Sequence, residues 1–158
     1  MLTLYSDIFE RFKRKLLKDP DFFLYKNISD EEAEEFVNEK CIILLNEAIS
    51  ELMNSCIPDV DFYDKDDNLQ VFNFEVVNLE KDLISEIMRY KYIEQDEVRL
   101  KVLFNNFTTK EVNIFSPAEE RKSFELLLKE NKNNIENKIS NYSMRDRITG
   151  KFKSVVGD

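Results

Sequence analysis

The feature that most constrains this chain is the set of signals telling its helices where to start and stop. Ser29 and Glu32 form a Ser-x-x-Glu capping box, in which side chain and backbone satisfy each other's free N–H groups at a helix start. Behind it Ala33, Phe36, Val37, Cys41, Leu44, Leu45, Ala48 and Leu52 recur at spacings of three and four, which marks one face of a helix. Ser116-Pro117-Ala118-Glu119 places an N-cap, a proline at the first helical position and a glutamate at the third in one tetrapeptide. It predicts a long helix from Pro117 to about Tyr142, with Phe124, Leu127, Leu128, Ile135, Ile139 and Tyr142 as its apolar stripe and a polar interruption from Asn131 to Asn134. Pro20 and Pro58 close the two helices before them, since proline cannot continue the backbone ladder.

The remaining elements follow from weaker signals. Ser6 is the expected N-cap of a first helix to about Lys18, with Ile8, Phe12 and Leu16 on one face. Asn78 is the expected cap of a third, carrying Leu79, Leu83, Ile84, Ile87 and Met88 and reaching about Ile93. Residues 98–104 fit either alternation or a helix face and read as a short helix. Alternation in Leu69, Val71, Phe74 and Val76 predicts a small β-hairpin around 59–77. The fold class is therefore all-α: a bundle of four to five helices with one small hairpin and an extended C-terminal tail. Residues 1–143 form a single helical domain and 144–158 a basic tail. With 158 residues, 42% hydrophobic and 35% charged, such a chain buries its own core without disulfides or metals. Cys41-Ile42-Ile43-Leu44-Leu45 is apolar on more than one face, as in a central core helix or one that also meets a neighbouring subunit.

Composition removes whole classes of chemistry. The two glycines, Gly150 and Gly157, both lie in the last nine residues, which excludes the glycine-rich loops that cradle phosphates in nucleotide-binding folds. Histidine is absent, and with it go hydrolase triads and ordinary zinc sites. No catalytic equipment and no cofactor are expected. Cys41 and Cys56 lie in apolar helical sequence without C-x-x-C spacing and read as small buried hydrophobes in a reducing compartment. Asp64, Asp66, Asn68 and Glu75 fall at EF-hand positions, but Leu69 stands where that loop needs glycine and Phe72 occupies the ninth position, so the stretch reads as a solvated acidic turn. There is no signal-peptide pattern and no run of ~20 apolar residues, so the expectation is a cytoplasmic protein without a membrane partner.

Net charge is −9, unevenly spread. From Lys26 to Glu86 there are 17 acids against 4 bases, whereas Glu10 to Lys18 carries five bases and one acid, and Met144 to Asp158 four bases and two acids. Basic ends around an acidic middle disfavour a DNA-gripping module, which needs a continuous basic footprint. They suit a protein whose ends meet acidic partners. The tail from Arg145 to Asp158 holds too few apolar residues to fold alone. It is expected to be disordered or ordered by a partner, so that deleting it leaves the fold intact.

Three stretches resemble the head-tail connector adaptor (head completion) proteins of tailed bacteriophages of Gram-positive hosts. They are Tyr5-Ser6-Asp7-Ile8-Phe9-Glu10-Arg11-Phe12, then Asn78 through Met88, and finally Phe115-Ser116-Pro117-Ala118-Glu119 through Ile139-Ser140-Asn141-Tyr142-Ser143. The first is similar to that family's opening helix with its paired phenylalanines, the second to its third helix, the third to its last long helix ending in Asn-Tyr-Ser. One departure is Tyr90-Lys91-Tyr92-Ile93, where the family has an aromatic-leucine pair near a proline. The resemblance implies a structural virion protein, assembled in the host cytoplasm. It would form a homo-oligomeric ring, a dodecamer, between the portal protein and a downstream stopper or tail connector protein, with viral DNA passing through the lumen without sequence-specific binding. Arg145, Arg147, Lys151, Phe152 and Lys153 would then dock on the portal, and Asp59, Asp61, Asp64, Asp66 and Asp67 would line the lumen. An acidic helical regulatory or binding module, either a DNA mimic or calcium-responsive, remains open as the alternative.

Overall fold

In the computed structural model the bundle is organised around its third helix. The structure describes residues 2–16, 23, 28–106 and 117–153, with side chains described outside 96–106 and 117–121. In chain order these form β1 (Thr3–Leu4), α1 (Tyr5–Lys15), α2 (Asp30–Ser55), β2 (Lys65–Asp66), β3 (Val71–Phe72), α3 (Asn78–Asn106) and α4 (Pro117–Ser143). Helix α3 packs against α1, α2 and α4, burying Leu83, Ile84, Ile87 and Met88. A mostly α fold with a small hairpin is thus the architecture, as the sequence indicates.

The capping box at Ser29 forms in full: the Glu32 N–H donates to Ser29 Oγ, and the Ser29 N–H donates to the Glu32 carboxylate at 2.9 Å. The Ser29 contacts, the backbone one first, hold the Glu32 carboxyl below its usual range. Ser29→Ala should lower Tm by roughly 2–4 °C, read by thermal circular dichroism, with the helical signal at low temperature retained. Helix α2 buries one stripe, Val37, Cys41, Leu44, Leu45, Ala48, Ile49 and Leu52, and leaves Ile43 more than half exposed. The central position therefore belongs to α3, and the second apolar face of α2 points outward at Ile43. Burial pushes the Cys41 thiol up to about 11, which suits a small packing residue; Cys56 is also free and half-buried.

The start of α1 differs from expectation. Ser6 is not its cap; Leu4 holds that position without a side-chain hydrogen bond. The reason is β1, which the sequence does not announce. Thr3 and Leu4 pair antiparallel with Phe72 and Val71, and β2 pairs with the other edge of β3, giving the order β1-β3-β2. The Tyr5 N–H, first of the helix, donates to the Gln70 carbonyl at 2.8 Å, so the hairpin does the work of a cap. The Thr3 hydroxyl accepts the Val76 N–H at 2.9 Å, which ties β1 to the segment entering α3. Beneath the sheet Phe72 packs against Tyr5, Phe62 and Phe74 with ring centroids 5.1 to 6.3 Å away.

Two further boundaries move. Asn78 is the first residue of α3 and not its cap: Lys81 N–H bonds to the Val77 carbonyl, and the Glu80 carboxylate accepts the Val77 N–H at 2.9 Å. Helix α3 also continues past Ile93 to Asn106, so 98–104 extends the third helix and is not a separate one. Ser116, Pro20 and residues 154–158 lie outside the described residues.

Charge draws the elements together. Arg11 of α1 meets Asp82 and Asn78 of α3 at 2.6 Å each, Lys15 meets Glu86 at 3.2 Å, and Lys81 meets Asp7 at 2.7 Å. The basic N-terminal segment finds its acidic partner inside the same chain.

Candidate functional site

The C-terminal turn brings most of the chain's polar organisation to one place. After Ser143 the chain reverses because Asp146 accepts the Ile148 and Thr149 N–H groups at 3.1 and 2.7 Å and the Thr149 hydroxyl at 2.8 Å. These bonds, the Thr149 backbone first, hold the Asp146 carboxyl below its usual range. Gly150 then adopts φ +68°, a left-handed conformation that glycine reaches without strain. Its N–H closes the turn on the Asp146 carbonyl at 2.8 Å. Arg145 and Phe152 form an antiparallel bridge, with the guanidinium 4.1 Å above the ring and donating to the Gly150 carbonyl.

This turn is fastened to the bundle by one fully buried carboxylate. Glu80, in the first turn of α3, receives Arg147 through two bonds of 2.8 Å, Nε to Oε1 and Nη2 to Oε2. Tyr142 Oη adds a third donor at 2.8 Å, and the Val77 N–H a fourth at 2.9 Å. All of the acceptor positions that a buried carboxylate must fill are therefore engaged. Arg147 Nη2 also donates to the Glu75 carbonyl at 2.6 Å. Burial first, then the bond to Glu80, pushes the Tyr142 phenol well above its ordinary value, so Tyr142 remains a donor.

The expectation for the tail therefore changes. Through Lys153 it is held against its own chain, and Arg147 belongs to the fold. Lys153 pairs with Asp59 at 2.7 Å, which brings the tail set and the acidic set together. Of the five tail residues, Lys151 alone has a side chain without a polar or stacking partner among the described residues. Phe152 remains 64% exposed despite its stack, and Met144 and Ile148 are 52% and 71% exposed beside it.

The acids have local duties as well. Asp61 accepts the Tyr63 N–H at 2.8 Å and Asp64 the Asn73 side-chain amide at 2.7 Å. Asp66 caps the hairpin turn by accepting from the Asn68 and Leu69 N–H groups, and Gln70 completes it at φ 54°. Asp67 pairs with Lys65 and accepts the Tyr5 hydroxyl at 2.7 Å; those two contacts hold its carboxyl low. Among the described residues no three acids or cysteines gather as a metal site.

No family model, curated protein or solved structure matches this chain. What the site can do follows from its geometry alone: it holds a short, rigid, basic and apolar knob against the bundle. Glu80 escapes sequence reasoning in this role. Its place at the third position of α3 announces a helix start, but nothing in the sequence links it to an arginine 67 residues away.

Proposed function

We propose that this protein is a structural subunit of a bacteriophage head-tail connector, a ring-forming adaptor between the portal and the next connector protein. The observation that carries the reading is the C-terminal knob, where Met144, Ile148 and Phe152 project from a turn already locked by Arg147 and Glu80. A preformed turn loses little conformational freedom on docking, which favours insertion into a partner's pocket. Further support comes from exposed apolar residues elsewhere on the helices, Ile43 on α2 and Leu126 and Leu127 on α4, which give a ring neighbour something to cover. The sequence resemblance supplies the context of portal, downstream connector and passing DNA.

Arg147 is accordingly assigned to holding the knob in shape, and Phe152, Ile148 and Lys151 to meeting the portal. The acids at 59–67 build the hairpin and its flanks, and whatever they present to a lumen is the negative charge left after their internal bonds. The expected result in mass photometry is a ring at micromolar concentration, or on addition of portal. Phe152→Ala with Ile148→Ala should abolish portal docking and leave Tm within about 2 °C. A protein that stays monomeric with portal present at every concentration contradicts the reading.

A further inference from the structure

The polar interruption of α4 has no role in the connector reading, yet the fold gives it a setting. Asn131 and Asn134 face a cleft of about 280 Å³ between three helices, which is also lined by Lys15 at the end of α1, by Glu86, Arg89, Tyr90 and Ile93 of α3, and by Ile135 and Lys138 of α4. Three cations thus surround one carboxylate in a chain whose middle is strongly acidic. Glu86 holds Lys15 on one oxygen and Lys138 on the other. Burial would raise its carboxyl, but the two lysines outweigh that and hold it low, so it stays ionised and keeps both ammonium groups at the cleft wall.

Among the described residues, the donors that line the rest of the cleft are unengaged. Arg89 makes no ion pair or hydrogen bond among the described residues, and neither do the side-chain amides of Asn131 and Asn134. A guanidinium, two fixed ammonium groups and two amides around one small opening match an anion with several acceptor oxygens. A lone basic residue on a surface would not make that match, since water and salt screen it. Here five donors on three helices converge, and Ile93 and Ile135 supply apolar wall between them.

From this convergence we propose that the α1–α3–α4 cleft is a phosphate-group site, bound through Arg89, Lys138, Lys15 and the amides of Asn131 and Asn134. The cleft is too small for a drug-sized ligand and suits inorganic phosphate or the terminal phosphate of a small ester. The inference is independent of the connector reading.

The test is a titration of the full chain at low ionic strength, followed by NMR of the arginine Nε–H and asparagine amide signals. Inorganic phosphate and a nucleoside monophosphate are added separately. Saturable shifts of Arg89, Asn131 and Asn134 with a Kd near or below about 1 mM are expected for at least one of them. Tighter binding of the monophosphate identifies an esterified phosphate as the occupant, and tighter binding of the inorganic ion identifies the free anion. Arg89→Gln should weaken binding about tenfold or more, and because Arg89 is exposed and has no partner among the described residues the variant should fold normally. Lys151→Gln, at an exposed cation outside the cleft, should leave phosphate binding unchanged. No saturable shift up to roughly 10 mM, equal binding by the Arg89→Gln protein, or shifts produced by duplex DNA and by neither small phosphate overturns the proposal.

Discussion

Replacing Arg147 with methionine should destabilise the whole bundle by about 3 kcal/mol, a Tm lower by roughly 6–12 °C, although the residue lies in a segment whose sequence reads as a dispensable tail. The cause is the carboxylate left behind. Glu80 is fully buried, and without the guanidinium it keeps only Tyr142 and the Val77 N–H as donors. A buried charge stripped of its partner costs more than the pair contributes when intact. The figure lies at the lower end of the range for broken buried pairs, because the Arg147 side chain is 15% exposed and water can reach part of the gap. The double change Glu80→Gln with Arg147→Met separates this cause from lost packing. The two donors use different oxygens of Glu80, so the glutamine carbonyl keeps the Val77 N–H while its NH2 donates to the Tyr142 oxygen, and with no charge to bury the double variant should recover about 1–2 kcal/mol of the loss. Chemical denaturation of the three proteins provides the measurement. A single variant within about 0.5 kcal/mol of wild type would show that Glu80 finds other partners. Truncation after Ser143 should resemble Arg147→Met, contrary to the expectation drawn from sequence.

Where the sequence carries local, short-range signals, the structure follows it closely. The Ser29–Glu32 box closes as written because both partners lie within one turn, and the buried residues of α2 and α4 keep the spacing that an amphipathic helix imposes, although Phe36 and Leu127, read as part of those stripes, are each 48% exposed. The misjudged boundaries share a different origin. Leu4 lacks any capping side chain and Ser6 has one, so a local rule favours Ser6, but β1 pairs with β3 and the Gln70 carbonyl satisfies the first helical N–H. Asn78 looks like a cap for the same reason, yet its side chain is taken by Arg11 and the helix starts with the Glu80 carboxylate on Val77. In the first case a carbonyl 65 residues away does the work of a local cap; in the second an arginine 67 residues away takes the Asn78 side chain, and a carboxylate three residues from Val77 closes the helix start.

The charge pattern illustrates the same limit on the scale of the molecule. Basic ends and an acidic middle read as surfaces for partners, because sequence shows how charge is distributed but not what lies opposite it. In the fold Arg11 and Lys15 lie against Asp82 and Glu86, Arg147 against Glu80 and Lys153 against Asp59. Most of these pairs are partly exposed and contribute little individually. Together they fix which helix faces meet, so the charge asymmetry is a device for assembling the bundle before it is available for anything else. Among the described residues, what remains for a partner includes Lys151, the exposed faces of Ile148 and Phe152, the apolar Ile43, Leu126 and Leu127, and Arg89 in its cleft.

The hairpin should be as important to stability as the helices, despite its two-residue strands. Phe72→Ala is expected to cost about 3–5 kcal/mol, enough to leave a substantial fraction unfolded at 37 °C. Phe72 is fully buried in the central strand, and its ring contacts Tyr5 at the start of α1, Phe62 before β2 and Phe74 before α3. Truncation therefore empties the place where three chain segments meet, and Tyr5, anchored by its backbone bond to Gln70 and its hydroxyl on Asp67, cannot collapse freely into the space. Phe72→Leu keeps most of the volume and should lose less than half as much. Hydrogen exchange gives the sharper readout. If the hairpin caps α1 through the Gln70 carbonyl, the Tyr5 amide should lose protection in Phe72→Ala before the Leu45 and Ile49 amides of α2 do. Uniform loss across all of these amides would mean that hairpin and helices unfold as one unit, and the local capping role of β3 would have to be abandoned.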